Sequence, residues 1–110
     1  MSDQTHVVHT VVVYFRLAGN DLTPLYAVEE ALTTAISAAG AGEYDGHEVA
    51  LLDTDDAYLF MLGPDAEKLF EAARPVLEAS PLLRGAQVTL RFGDLDDEDA
   101  PERAFVLGER

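Results

Sequence analysis

The apolar positions of the chain alternate between the periodicity of strands and that of helices. Residues 7–17 are dense in β-branched and aromatic side chains, and their odd-numbered positions are almost all apolar. The even-numbered positions, which include Val8, Val12 and Tyr14, are semi-apolar. This pattern predicts a central strand with one face on a core and the other only partly wet.

Two longer stretches repeat apolar residues every three or four positions, as amphipathic helices do. The first follows Thr23-Pro24 and ends at Gly40, with Glu29 on its outward face. The second opens at residues 63–65 and ends at residues 80–81, and Pro75 inside it is expected to kink or split the helix. The predicted core positions are Leu25, Val28, Leu32, Ala35, Ile36 and Ala39, then Ala66, Leu69, Phe70, Ala73, Val76 and Leu77.

Three further apolar runs, at residues 47–52, 57–62 and 87–92, predict strands, and residues 43–46 predict a turn. The order is therefore βαββαβ. Right-handed crossovers would place both helices on one face of a four-stranded antiparallel sheet, so the expected class is α+β with a ferredoxin-like fold. A doubly wound α/β domain would need a parallel connection, for which the loop at 53–56 is too short.

The chain divides into a predicted ferredoxin-like domain, residues 1–93, and an acidic extension, residues 94–110. The first part of the extension is expected to be a mobile, solvated strip. The apolar residues 104–107 would either add a fifth strand to the sheet edge or bind a partner.

Charge narrows the possible partners. Seven Lys and Arg stand against 21 Asp and Glu, which gives a net charge of −14 over 110 residues. Direct nucleic-acid binding and anionic membranes are disfavoured, because Lys and Arg hold such partners. No leader-like start and no apolar run of about 20 residues is present, so the expected location is cytoplasmic.

Few residues suggest catalysis. The chain has no Cys and three His, of which His6 and His9 would point to opposite faces of a strand. His47 would be separated from His9, because the expected fold pairs the first strand with the third and fourth strands. The acidic runs beginning at Asp53 and Asp94 lack the Gly and Glu spacing of an EF-hand. We therefore expect no enzyme, no cofactor and no metal site.

Two groups of residues are candidates for interaction. Tyr44, Asp45, His47 and Glu48 would form a polar patch with an aromatic anchor at one end of the sheet. Val8, Val12 and Tyr14, with Tyr58 or Leu59 beside them, would form an open apolar sheet face. Such a face usually needs a cover. Either a second subunit, which would make a homodimer, or residues 105–107 would supply it.

Three resemblances extend these expectations. The layout, with residues 43–46 after the first helix and 80–85 before the last strand, resembles small bacterial proteins of ferredoxin-like fold. The string Glu43-Tyr44-Asp45-Gly46 is similar to one in the regulator of ribonuclease activity B family, acidic ferredoxin-like proteins that bind and inhibit ribonuclease E. Residues 21–25 resemble the ligand-binding loop of the ACT domain.

The expected function is a non-catalytic, acidic protein-binding or regulatory module. Its acidity favours a partner that is basic, such as a nucleic-acid-binding protein. The alternative is an ACT-like regulatory domain that binds a small ligand.

Overall fold

A computed structural model describes residues 8–17, 22–49, 56–93 and 96–108 of the chain. It has two α-helices and five β-strands, which confirms the predicted α+β class. The elements are β1 (His9–Arg16), α1 (Thr23–Ala39), β2 (Glu43–Val49), β3 (Asp56–Gly63), α2 (Ala66–Ala79), β4 (Gln87–Arg91) and β5 (Glu102–Val106), with a 3-10 turn at Pro81–Leu83. Neither described helix is long and apolar enough to cross a membrane.

The strands form one sheet in the order β2-β3-β1-β4-β5, and each neighbouring pair is antiparallel. Five strands replace the four that were predicted. The added strand contains the apolar C-terminal segment, which therefore docks within its own chain. Phe105 lies opposite Val88 and packs edge-on against Phe70, with ring centroids 5.1 Å apart. The Leu107 amide donates to the Ala86 carbonyl at 2.8 Å.

Side chains of β1 point alternately to the two faces of the sheet, and those on the helix side form the centre of the core. Val11, Val13 and Phe15 point towards the helices and are buried, as the odd-numbered positions predicted. They form one cluster with β3, β4 and the apolar stripes of both helices. The predicted helix positions that are buried are Leu25, Val28, Leu32 and Ile36 in α1 and Ala66, Leu69, Phe70, Ala73 and Leu77 in α2. Ala35 and Val76 are half-buried, and Ala39 is exposed.

The other face of the sheet, here called the open face, carries no helix of the described chain. Paired residues of antiparallel strands share a face, so the register places Tyr58 beside Tyr14 and Phe60 beside Val12. Leu59 pairs with Val13 on the helix side and is fully buried, so of the two predicted neighbours only Tyr58 lies on the open face. The open face comprises Thr10, Val12, Tyr14 and Arg16 (β1), Asp56, Tyr58, Phe60 and Leu62 (β3), Glu43, Gly46 and Glu48 (β2), Gln87, Thr89 and Arg91 (β4), and Glu102, Ala104 and Val106 (β5).

Two local predictions were wrong. Residues 43–46 are not a turn, because β2 already begins at Glu43, directly after Gly42. The backbone of β3 approaches Gly42 so closely that a Cβ there would collide with the Leu62 carbonyl oxygen. Pro75 does not split α2, which runs unbroken from residue 66 to residue 79. Pro75 and Glu71 are exposed, so water can satisfy the Glu71 carbonyl that the proline leaves without a donor.

The acidic residues 96–99 after β4 are exposed, as their charge predicted, and the segment is also tied to the sheet. The Arg91 guanidinium donates to the Asp97 carbonyl and pairs with the Glu102 carboxylate. The Phe92 amide donates to the Pro101 carbonyl at 2.9 Å. At the same end of the sheet the buried Thr10 hydroxyl donates to the Gly93 carbonyl at 3.1 Å. Arg91 and the Phe92 amide thus hold the acidic segment in place where the chain reverses direction and enters β5.

The docking of β5 can be tested with Phe105→Ala. Loss of the half-buried ring and its contact with Phe70 should lower the free energy of unfolding by about 2 kcal/mol, measured by urea denaturation. Glu98→Ala, in the exposed part of the same segment, is the control and should change it by less than about 0.5 kcal/mol. Equal stability of the two variants would contradict the docked strand.

Candidate functional site

Two predicted interaction residues converge on one carboxylate that the sequence did not single out. The Tyr44 hydroxyl donates to Glu29 Oε2 at 2.6 Å, and His47 Nδ1 lies 2.6 Å from the same oxygen. Tyr44 and His47 belong to β2, whereas Glu29 lies on α1. A carboxylate only accepts, so Nδ1 carries the shared proton and the ring orientation is fixed. Glu29 thereby joins the first helix to the edge strand.

A bulge in β2 makes this convergence possible. Tyr44 and His47 are three positions apart, and in a regular strand an odd offset sends side chains to opposite faces. Here the register shifts between Tyr44 and Gly46, leaving Asp45 as the extra residue. Tyr44 lies opposite Met61 and His47 opposite Leu59, so both point to the helix side. Gly46 takes φ 115°, a backbone conformation that other residues rarely adopt.

The surroundings of Tyr44 favour its neutral form. Burial raises the pKa of the Tyr44 phenol well above its usual range, and the hydrogen bond to Glu29 raises it further. Burial penalises the phenolate, and a negative carboxylate beside it would repel that charge. The phenol therefore keeps its proton at neutral pH and donates it to Glu29. The same Glu29 oxygen also contacts His47 of β2.

The exposed neighbour of this network is Tyr26, which the sequence reading overlooked. Tyr26 is 54% exposed, and the centroid of its ring lies 6.4 Å from that of His47. Around it the surface is acidic, since residues 22–49 contain no Lys or Arg. We define the α1–β2 edge as the exposed residues of these two elements around Tyr26, namely Tyr26, Glu30, Glu43, Asp45, His47 and Glu48.

The predicted polar patch is thus divided between two sides of β2. Tyr44 and His47 lie on the helix side, Glu48 lies opposite Tyr58 on the open face, and Asp45 is exposed at the bulge. Tyr44 is half-buried beneath Glu29, so Tyr26 takes its place as the exposed aromatic. Tyr26 lies three and four positions before Glu29 and Glu30, a helical spacing that could have indicated the shared face.

Of the second predicted group, Val12 and Tyr14 lie on the open face, and Val8 is half-buried just before β1. The Tyr14 hydroxyl donates to Asp56 Oδ1 at 2.6 Å. Its ring contacts that of Tyr58, which stacks in turn on Phe60. The rings of Tyr14, Tyr58 and Phe60 thus form an aromatic row on the open face. Within this row the Tyr14 hydroxyl already has a hydrogen-bond acceptor, Asp56.

The remaining histidine positions have separate surroundings. His9 Nδ1 accepts from the Ala66 amide at 3.0 Å, so the ring caps the start of α2, and its edge meets Phe92. The strand β3 separates β1 from β2, and hence His9 from His47. His6 lies outside the described residues. Within the described ranges, no three His, Asp or Glu side chains cluster closely enough to hold a metal ion.

An apolar groove of ≈ 880 Å³ runs between α1 and α2. It is lined by Pro24, Ala27, Val28, Ala31, Pro75, Val76, Ala79, Ser80, Pro81 and Leu82. This lining has no charged side chain, although an amino-acid ligand of ACT type would need partners for its ammonium and carboxylate groups. In the loop that resembles the ACT motif, Leu25 is fully buried in the core, and Asp21 lies outside the described residues.

The Glu29 network can be tested with Tyr44→Phe. At neutral pH the loss of this hydrogen bond should lower the free energy of unfolding by about 1–2 kcal/mol. Above pH 10, near the usual tyrosine pKa, the unfolded wild-type chain ionises at residue 44 while the folded chain, whose pKa is raised, does not. That ionisation destabilises the wild type alone, so the difference should shrink by up to about 1.4 kcal/mol per pH unit.

The measurement is urea denaturation of both proteins from pH 7 to pH 11. Groups common to the two chains cancel in the comparison. A difference that stays constant from pH 7 to pH 11 would contradict the raised pKa of Tyr44.

Comparisons with models of protein families, with curated proteins and with solved structures found no match for this chain. The evidence for its function is therefore the geometry of its own residues.

Proposed function

We propose that this protein is a non-catalytic binding module that engages a basic protein through the α1–β2 edge. The observation that carries the proposal is the exposed Tyr26 on α1, which together with β2 forms a segment, residues 22–49, that contains no Lys or Arg. Residues 9–91, whose strands are ordered β2-β3-β1-β4, supply a scaffold that we assign to the ferredoxin-like fold.

Tyr26, the proposed aromatic anchor, lies on a helix that is tied firmly to the neighbouring strand. Tyr26 projects from the first turns of α1, and Glu29 ties the same helix to Tyr44 and His47 of β2. A rigid aromatic ring gives contact area at small entropic cost, and Tyr is among the residues that most often dominate binding energy. The network below it thus supports the role of Tyr26 as the central contact.

The charges around the anchor indicate the chemistry of the partner. Glu30 lies one helical turn from Tyr26, and Glu43, Asp45 and Glu48 line the neighbouring edge strand. Arg or Lys side chains of a partner would pair with these carboxylates and could lie over the Tyr26 ring. A nucleic-acid-binding protein presents such residues, and the resemblance of residues 43–46 to the regulator of ribonuclease activity B family agrees with a partner of that kind.

The test is affinity capture from a cell lysate with three baits: wild type, Tyr26→Ala and Glu30→Lys. At low salt, about 50 mM, we expect wild type to retain a basic protein that is released at about 500 mM, because screening weakens exposed charge pairs. With that protein purified, Tyr26→Ala should weaken binding by about 30-fold, the effect of removing a strong aromatic anchor.

Glu98→Lys is the matched control for Glu30→Lys, since each replaces a negative charge with a positive one and raises the net charge by two units. Glu98 lies in the turn before β5, at the opposite edge of the sheet from β2. Binding should therefore fall much more in Glu30→Lys than in Glu98→Lys. Equal losses would show that only net charge matters, and no basic protein captured at low salt would exclude the proposal.

A further inference from the structure

We propose that the open face of the sheet is the interface of a homodimer, with a second copy of this chain as its occupant. This surface shares only Glu43 and Glu48, at its rim, with the α1–β2 edge, and its assignment does not depend on the proposed function. The evidence is the distribution of charge across the sheet, the position of β5 and the size of the face.

Charge is confined to the perimeter of the open face. The middle row crosses all five described strands as Gly46, Phe60, Val12, Thr89 and Ala104, without one ionisable side chain. Four acids and two arginines surround it, among them Asp56 and Arg16 at one end and Glu102 and Arg91 at the other. An uncharged centre with a charged rim is the anatomy of a protein–protein interface, and charge depletion is strongest in homodimers.

The aromatic row gives the centre its apolar area. Tyr58 contacts both Tyr14 and Phe60, and all three rings are partly exposed. The Tyr14 hydroxyl is already bonded to Asp56, so covering this ring leaves no hydroxyl unsatisfied. On the β5 side, Val106 is 37% exposed and extends the same surface.

The sequence allowed two covers for the open face, residues 105–107 or a second subunit, and the structure excludes the first. Residues 105–107 were expected either to lie over this face or to leave it to a second subunit. Phe105 instead points to the helix side, against Phe70, and β5 lengthens the sheet at its edge. The C-terminal strand therefore enlarges the open face and does not cover it.

The dimensions suit a dimer. Five strands at about 4.8 Å spacing make the sheet about 24 Å wide, and the strands are about 26 Å long in β1 and about 17 Å long in β4 and β5. The projected area is then about 520 Å², and the relief of the side chains brings the accessible area towards the approximately 800 Å² per partner of a standard interface. An apolar surface rimmed by polar residues marks a protein–protein interaction site.

Net charge limits where a second copy can dock. Two chains of −14 each repel one another, so they can meet only where charge is absent and no unpaired carboxylate becomes buried. The middle row is such a place. A basic partner would gain nothing there, and its proposed site is the α1–β2 edge.

The test is sedimentation equilibrium of the purified full-length chain at about 100 µM, a concentration at which a micromolar dimer is nearly complete. Wild type should sediment at twice the 11.9 kDa chain mass. Thr89→Glu places a charge in the centre of the face, and Ala104→Glu does so at an exposed position of the same row. Each should weaken the dimer at least about tenfold, because two carboxylates would be buried together.

Thr34→Glu, on the exposed side of α1, is the control with the same added charge and should leave the dimer intact. Circular dichroism checks that each variant is folded, and if Thr89→Glu is not, Ala104→Glu decides. A monomeric wild type overturns the proposal. So does a dimer that is as tight in the two face variants as in Thr34→Glu.

Discussion

The structure depends on one constraint, the strict alternation of side chains along β1. Because β1 is hydrogen-bonded to β3 on one side and to β4 on the other, its register sets the face of every residue in those strands. Val11, Val13 and Phe15 must therefore share one side with the helices, and Val12 and Tyr14 the other. A one-residue slip would exchange the core for the open face, and burial of the odd positions prevents it.

The candidate site depends on the one place where alternation fails. The bulge at Asp45 inserts a residue into β2, so that Tyr44 and His47 reach Glu29 from the same side. An edge strand tolerates such an insertion, since only one neighbour has to follow its register. The same irregularity, together with the acidic side chains of β2, discourages pairing with the edge of another sheet.

The two proposed surfaces differ in the charge that they present. The α1–β2 edge concentrates carboxylates around an exposed aromatic, and such a surface attracts basic groups. The middle row of the open face excludes charge, which lets a similarly charged copy approach. In the two proposals, strong acidity restricts self-association to the open face and leaves the α1–β2 edge to a partner of opposite charge.

Much of this could be predicted from local pattern. The odd-numbered positions of residues 7–17 and the apolar stripes of both helices identified most of the core, because periodicity is a property of neighbouring residues. The charge of −14 is the basis for proposing a basic partner, which stays a prediction. Tyr44 and His47 were both among the predicted interaction residues, but Glu29, the carboxylate they share, was not, since it lies on another element.

What tertiary structure decided was every contact between distant residues. The bulge at Asp45, the burial of Tyr44 beneath Glu29 and the exposure of Tyr26 depend on how α1 lies against β2. The addition of β5 depends on the packing of Phe105 against Phe70, which lies 35 positions earlier in the sequence. Sequence alone determined which face of each element is apolar. Only packing determined which elements meet there, because that choice is made by the summed contacts of the whole chain.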